Sequence, residues 1–164
     1  MNAVDLLITQ HRQMEQLADK VLDACEKQPE SAAALFARAG DELTAHLASE
    51  EEVFYPAVKA SRTEGILLES LEEHLSLKRL LADLIEMNPE QTTFVPKFKV
   101  LSEQMEHHHK EEEEHLFPKV RRCLDDRRLD ELGRAMKALQ DRLKQEGDPR
   151  EAVAAQTDAA APLN

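Results

Sequence analysis

Six residues of the 164-residue chain have the types and spacings of a metal centre. His46 and Glu50 are four residues apart, as are His108 and Glu112, so on a helix each pair projects from adjacent turns of one face. His11 and His74 each stand among apolar residues that recur every three or four positions, which puts both imidazoles on an inward stripe. A lone histidine on an apolar helix face is most often a satisfied core residue. Four histidines and two glutamates at core positions are a different case, because unpartnered buried imidazoles and carboxylates are costly and a cation compensates all of them at once. No cysteine lies on the inner stripes at this level, and a donor set of imidazole and carboxylate suits iron, manganese or zinc rather than a thiolate site.

Long helices must carry these residues. Residues 3–27 place Val4, Leu7, His11, Met14, Ala18, Val21 and Cys25 at alternating spacings of three and four. Pro29 and Ser31 then mark a break and a new N-cap. Residues 31–61 repeat the pattern with Phe36, Ala39, Leu43, His46, Glu50, Val53 and Ala57, and Pro56 is expected to kink or loosen the end of that helix. Residues 64–88 give Leu67, Leu71, His74, Lys78, Leu81 and Ile85 and stop at Asn88-Pro89. Residues 94–122 give Phe94, Phe98, Leu101, Met105, His108, Glu112 and His115. Short connections between four long amphipathic helices favour an antiparallel up-down-up-down bundle. A fifth helix over 127–146 carries Leu129, Leu132, Met136, Leu139 and Leu143, with Gly147 past its end. The expected fold is therefore all-α, an antiparallel four-helix bundle with an additional C-terminal helix. Residues 1–147 form one domain, and the Ala-rich stretch 148–164 is expected to be frayed or disordered. The fifth helix either covers the bundle or forms a homodimer contact; both fit.

The chain repeats itself. HLASEEEVFYP, starting at His46, lies on HHKEEEEHLFP, starting at His108, at an offset of 62, which pairs Glu50 with Glu112, Glu51 with Glu113 and Pro56 with Pro118. The first and third helices align at an offset of 63, with His11 on His74, Val4 on Leu67 and Met14 on Leu77. A duplicated helical hairpin packed on its copy is a natural way to build a symmetric two-metal site. The expected division is His11 with His46 on one ion and His74 with His108 on the other, Glu50 and Glu112 bridging both. A bridging oxo or hydroxo group leaves at least one position per octahedral ion open for a small ligand. Ferritin-like sites use Glu-x-x-His motifs, and the order here is His-x-x-x-Glu.

Composition narrows the partners. A net charge of −12 repels nucleic acid phosphate and anionic lipid. Two cysteines make no disulfide framework, and neither a leader-like N-terminus nor an apolar run of membrane-spanning length is present. A cytoplasmic protein without nucleic acid or membrane partners is the expectation.

These motifs resemble those of hemerythrin-like proteins of the HHE cation-binding group, from about Asp5 to about Leu143. DLLITQHRQMEQL resembles the opening helix of that family, HLASEEEVFYP and HHHKEEEEHLFPKV its two metal-binding helices, and LEEHLSLKRLL its third. The resemblance implies a four-helix bundle with a non-haem di-iron centre able to meet oxygen, nitric oxide or peroxide. It maps the ligand roles onto His11, His46, Glu50, His74, His108 and Glu112. Oxygen-carrying hemerythrins have a further histidine four residues after the third-helix ligand, where this chain has Lys78, so reversible oxygen carriage is disfavoured. His115, on the same inner stripe as His108, is a candidate substitute but lies on the order of 10 Å along the axis from it at about 1.5 Å per residue, too far to reach the same iron.

The remaining polar residues receive blander readings. His107 and His109 flank the ligand position on other helix faces, with surface or supporting roles. Glu51 and Glu113 are candidates for hydrogen bonds to ligand imidazoles, Lys78 for pairing with an acidic neighbour or for snorkelling out of the bundle, and Tyr55 for packing at a helix end. The functional expectation is a di-iron protein that binds or senses oxygen, nitric oxide or oxidants in stress response or iron handling. Its rivals are a weak redox enzyme acting on peroxide or nitric oxide, and a metal storage or buffering protein.

Overall fold

Helix α1 (Ala3–Lys27) starts at Asn2, whose side chain accepts the Asp5 backbone N–H at 2.9 Å and so satisfies one of the free donors of the first turn. Helix α2 (Pro29–Ser49) follows after the single residue Gln28. The expected break falls at Gln28, which is the N-cap in place of Ser31, because the fixed φ and missing N–H of Pro29 suit the first helical position. In this computed structural model, which describes residues 1–164, α2 passes through a π-helical turn, Glu50–Phe54, into α3 (Tyr55–Val58). Helix α4 (Glu64–Ile85) comes next. Helix α5 (Phe94–Glu111) then passes through a second π-helical turn, Glu112–Leu116, into α6 (Phe117–Cys123).

The two π turns are the structural form of the sequence repeat. In each, the residue before the proline donates its N–H to the carbonyl five positions back, Tyr55 to Glu50 and Phe117 to Glu112. Proline within the last turns of a helix removes a donor and crowds the carbonyl four residues earlier. One extra residue in the turn absorbs that conflict, so the helix widens at Pro56 and Pro118 rather than breaking there.

Helices α1 and α2 form one antiparallel hairpin and α4 and α5 the other; α1 also packs on α5 and α2 on α4, closing the expected bundle. Two apolar clusters fill its ends. One gathers Val4, Leu7, Phe54, Leu67, Leu71, Leu116 and Phe117, the other Met14, Phe36, Leu43, Leu77, Leu81, Phe98 and Met105. His11, His46, Glu50, His74, His108 and Glu112 lie in the layer between them. No helix is long and apolar enough to cross a membrane.

Helix α7 (Asp126–Glu146), capped by the Asp125 side chain, lies across α1 and α2 and adds Leu129, Leu132 and Met136 to the first cluster. Its stripe covers the bundle. The tail departs from the frayed segment expected of its composition. Residues Pro149–Gln156 form a 3-10 helix against α2 and α4, Val153 is buried, Arg150 pairs with Asp41 at 2.8 Å, and Arg79 donates to the Thr157 carbonyl at 2.9 Å. Anchors so few and so scattered leave no periodic trace in an Ala-rich stretch.

Gly133 of α7 marks a close approach: a Cβ there would stand 2.4 Å from the Met1 carbonyl oxygen and 2.9 Å from the Asn2 carbonyl carbon. Gly65, near the start of α4, has nothing within 4 Å of the same position. Gly133→Ala is therefore expected to destabilise by about 1–3 kcal/mol through overpacking, and Gly65→Ala to stabilise by about 0.5 kcal/mol by restricting the unfolded chain. Thermal unfolding of the two variants beside the parent checks both signs.

Candidate metal centre

All six sequence-predicted residues converge in the buried layer between the two apolar clusters. Glu50 Oε1 lies 3.2 Å from His46 Nε2 and 3.4 Å from His74 Nε2, and Glu112 Oε1 lies 3.4 Å from His11 Nε2 and 3.3 Å from His108 Nε2. The Nε2 atoms of His74 and His108 approach to 3.0 Å. Each carboxylate thus touches one imidazole from each half of the repeat. The donors fall into two overlapping groups, His11, His46, Glu50 and Glu112 on one side and Glu50, His74 and His108 on the other, with the donor atoms of each group within 4.8 Å of one another.

The outer nitrogens explain why the inner ones converge. His11 Nδ1 meets Glu113 Oε2 at 2.8 Å, and its repeat mate His74 meets Glu51 Oε2 at 2.8 Å. His46 Nδ1 meets Gln10 Oε1 at 2.9 Å, and its mate His108 meets Glu73 Oε1 at 3.1 Å. Gln10 and Glu73 also correspond at the offset of 63. An acceptor at Nδ1 places the proton there and leaves the Nε2 lone pair facing inward, the usual way an imidazole is prepared as a ligand.

Those inward atoms supply the test of fit. His11 Nε2, His46 Nε2, both oxygens of Glu50 and Glu112 Oε1 are buried and make no hydrogen bond. Native proteins leave few such atoms, and a cluster of them at one place needs an explanation. The donors that a cation would satisfy are the ones lacking partners.

The electrostatics of the layer follow from burial and crowding. Burial and the neighbouring Glu50 carboxylate push the Glu112 carboxyl up to about 7. Burial acts to raise Glu50 as well, but the His46 imidazole, a proton shared with Glu112 and the His74 imidazole hold it well below the usual carboxylate range. Burial acts to lower His74, and its contacts with Glu50 and Glu51 outweigh this and bring it up to about 9. The bare layer therefore retains protons that a bound cation must displace.

The π turns move some residues from where the sequence suggested, while Lys78 and His107 take roles it allowed. His115 is exposed beside Glu111 and Glu114, because the extra residue of the π turn rotates the following positions and brings Leu116 to the core in its place. The other π turn likewise buries Phe54 in place of Val53. Lys78 is buried and donates from Nζ to Glu51 Oε1 at 2.8 Å, so it steadies the carboxylate that orients His74. Arg12 pairs with Glu113 in the same way on the other side. His107 is exposed near Glu73.

Two residues of the layer were not anticipated. Tyr55, read as helix-end packing, is fully buried; its hydroxyl donates to Glu112 Oε2 at 3.1 Å and lies 3.1 Å from His74 Nε2. The π turn brings it there, and a 3.6-residue period cannot reveal that. His109, assigned to another helix face, is buried with its ring stacked on His11. Beyond the bundle, Gln140 of α7 accepts from Gln10 at 2.6 Å and donates to Ser49 Oγ at 2.8 Å. That contact fixes the amide that orients His46.

Comparison with known proteins bears on the family and the fold. The family model described as Hemerythrin HHE cation binding domain matches residues 2–120. A protein of Nostoc sp. named DNA nickase is 27% identical over 145 residues, covering 88% of this chain and 41% of that protein, so the chain spans less than half the length of this relative. The crystal structure of a Hemerythrin HHE cation binding domain-containing protein from Mycobacterium kansasii superposes with a TM-score of 0.75 at 23% identity, over 99% of this chain and 95% of that one. The likeness is one of fold.

Because Glu112 titrates at about 7 and His74 at about 9 before any cation binds, uptake must expel their protons. Between pH 7 and 9 the affinity for a divalent ion is expected to rise with pH, by up to about tenfold per unit for the His74 proton, and below pH 7 more steeply as Glu112 also protonates. Calorimetric titration in buffers of different ionisation enthalpy counts the protons released. A pH-independent affinity with no proton release would contradict this arrangement.

Proposed function

Because the chain belongs to the hemerythrin HHE cation-binding domain family, we propose that His11, His46, Glu50, His74, His108 and Glu112 hold two iron ions, and that the loaded centre binds or senses oxygen, nitric oxide or peroxide. The observation that carries this is the set of four imidazoles held by their Nδ1 atoms, with their Nε2 atoms turned onto two carboxylates, of which both oxygens of Glu50 and Oε1 of Glu112 make no hydrogen bond. His11 and His46 serve one ion and His74 and His108 the other. Glu50, between His46 and His74, and Glu112, between His11 and His108, each span the two positions. Manganese or zinc would fit the same donors.

Iron bound there supplies one-electron chemistry and open coordination positions for a small ligand. The protein supplies the rest. The two apolar clusters keep bulk water from the layer, which strengthens every charge interaction within it. Glu51, Glu73, Gln10 and Glu113 fix ring orientation. The Tyr55 hydroxyl holds a proton on Glu112 Oε2 at the His74 side, the one neutral donor aimed at the carboxylate pair. With Lys78 tied to Glu51 and no histidine in its place, the centre is suited to capturing or reacting with its ligand more than to releasing oxygen reversibly. The surface, with a net charge of −12, repels phosphodiester backbones, so DNA is not the substrate we propose.

Protein purified from iron-replete cells is expected to contain about two irons per chain, and Glu50→Ala, which removes a carboxylate shared by both positions, to retain at most one. Metal analysis measures both. Zinc alone, or one ion per chain in the parent, would overturn the di-iron reading. Anaerobic absorption spectroscopy with oxygen, nitric oxide and peroxide added in turn then identifies the ligand, and peroxide turnover abolished in Glu50→Ala would make the protein an enzyme.

A further inference from the structure

The inward stripe of α7 changes character partway along. Leu129, Leu132 and Met136 close on the first apolar cluster, but the next residues on that face, at steps of four, are Gln140 and Lys144. Where the stripe turns polar, α7 and the α1–α2 hairpin leave a cleft of about 230 Å³ between them. That is several times the share of one water in the liquid, about 30 Å³, and less than the roughly 300–1,000 Å³ of pockets for drug-sized ligands. The space is that of a small metabolite.

Three helices each send a cation to this cleft, Lys20 from α1, Arg38 from α2 and Lys144 from α7, and the one carboxylate in its lining is Glu42. Three cations against one carboxylate leave a surplus of two positive charges, on a chain whose net charge is −12. Glu42 is already paired with Lys144 at 2.8 Å, and neither Lys20 nor Arg38 forms an ion pair within the chain. Like charges drawn together from three elements repel one another unless an anion answers them.

The rest of the polar lining is amide. Gln140 is buried and locked to Gln10, each donating to the oxygen of the other, at 3.0 and 2.6 Å, and Gln140 donates also to Ser49 Oγ at 2.8 Å. That pair fixes the floor of the cleft, and Gln13 and Gln16 are exposed at its rim. His46 also reaches the cleft, but its Nδ1 is held by Gln10 and its Nε2 faces Glu50, so the cations and amides, not the donors of the metal layer, are what a ligand there would meet. A guanidinium offers a planar fork of donors and an ammonium a mobile point charge, a combination that matches oxyanions.

We propose that the cleft between α1, α2 and α7 binds a small metabolite carrying two negative charges as carboxylate or phosphate, with Arg38 as the bidentate contact and Lys20 and Lys144 as the neutralising charges. Two charges on the ligand answer the surplus of two. The site does not depend on which metal the buried layer holds.

Calorimetric titration of the full chain at low ionic strength, with succinate, inorganic phosphate and the neutral succinamide as probes, tests this. One equivalent of succinate or of phosphate is expected to bind and succinamide is not, and the tighter of the two anions identifies the acidic group of the ligand. Arg38→Gln and Lys20→Gln, both at exposed side chains, are each expected to weaken binding about tenfold. Lys99→Gln, which removes the same charge from an exposed position on α5, is expected to leave it within about twofold. Failure of both anions to bind the parent, or equal weakening by Lys99→Gln, overturns the inference, since general charge attraction then accounts for the result. Binding that survives both Arg38→Gln and Lys20→Gln unchanged overturns it as well, because an anion held by metal in the buried layer would behave in that way. Should one of the two variants not fold, the other decides.

Discussion

The fold depends on one constraint: two carboxylates and the inward nitrogens of their imidazoles are buried in a layer between two apolar clusters, and most of these atoms make no hydrogen bond. Everything around the layer is arranged against that cost. Each of the four imidazoles uses one nitrogen on an outer acceptor, and two of those acceptors are steadied in turn by a cation, Glu51 by Lys78 and Glu113 by Arg12. Gln10 is held by Gln140 across from α7, so even the fifth helix contributes to ring orientation. The acidic runs at Glu50–Glu52 and Glu111–Glu114 are thereby resolved residue by residue: one member faces the layer, the next orients an imidazole from the opposite hairpin, and the others are solvated.

The π turns connect this chemistry to the backbone. Each begins at the inward glutamate and ends before the residue that precedes proline. A π turn packs five residues where an α turn would use fewer, so it can present the glutamate to the layer and still bury Phe54 or Leu116 one position later than an unbroken helix would. Such turns recur at functional sites because they uncouple side-chain direction from the 3.6-residue period. Here the uncoupling also carries Tyr55 into the layer, where its repeat mate Phe117 brings only an apolar ring against His11.

The parts that were legible in the sequence are those that obey a period. Four amphipathic stripes gave the bundle, the offsets of 62 and 63 gave the pairing of hairpins, and a leucine stripe ending before Gly147 gave the fifth helix. Where the period slips by one residue, reasoning from it misplaces everything downstream: His115 was put inside and is exposed, Val53 gave way to Phe54, and Tyr55 was left at a helix end. His109 was missed for another reason. It neighbours His108 and sits about 100° around the helix from it, a face that becomes interior only because α1 packs on α5. The C-terminal segment was missed because its anchors, Val153 and Arg150, are isolated residues in an alanine background.

Lys78 shows how much one substitution changes in such a layer. The corresponding position in the first helix is Glu15, so the repeat sets a cation against Glu51 on one side and an anion against His109 on the other. Six carboxylates, Glu15, Glu50, Glu51, Glu73, Glu112 and Glu113, contact the histidines of the layer, Glu15 through His109. The side-chain cations that answer them are Lys78 and Arg12. Two divalent ions would balance the remaining negative charge, and one would not. The bare layer instead keeps a proton on His74 and shares another with Glu112 near neutral pH. Protons fill the role of cations there only partly, because they cannot reach His11 Nε2, His46 Nε2 and both oxygens of Glu50 together.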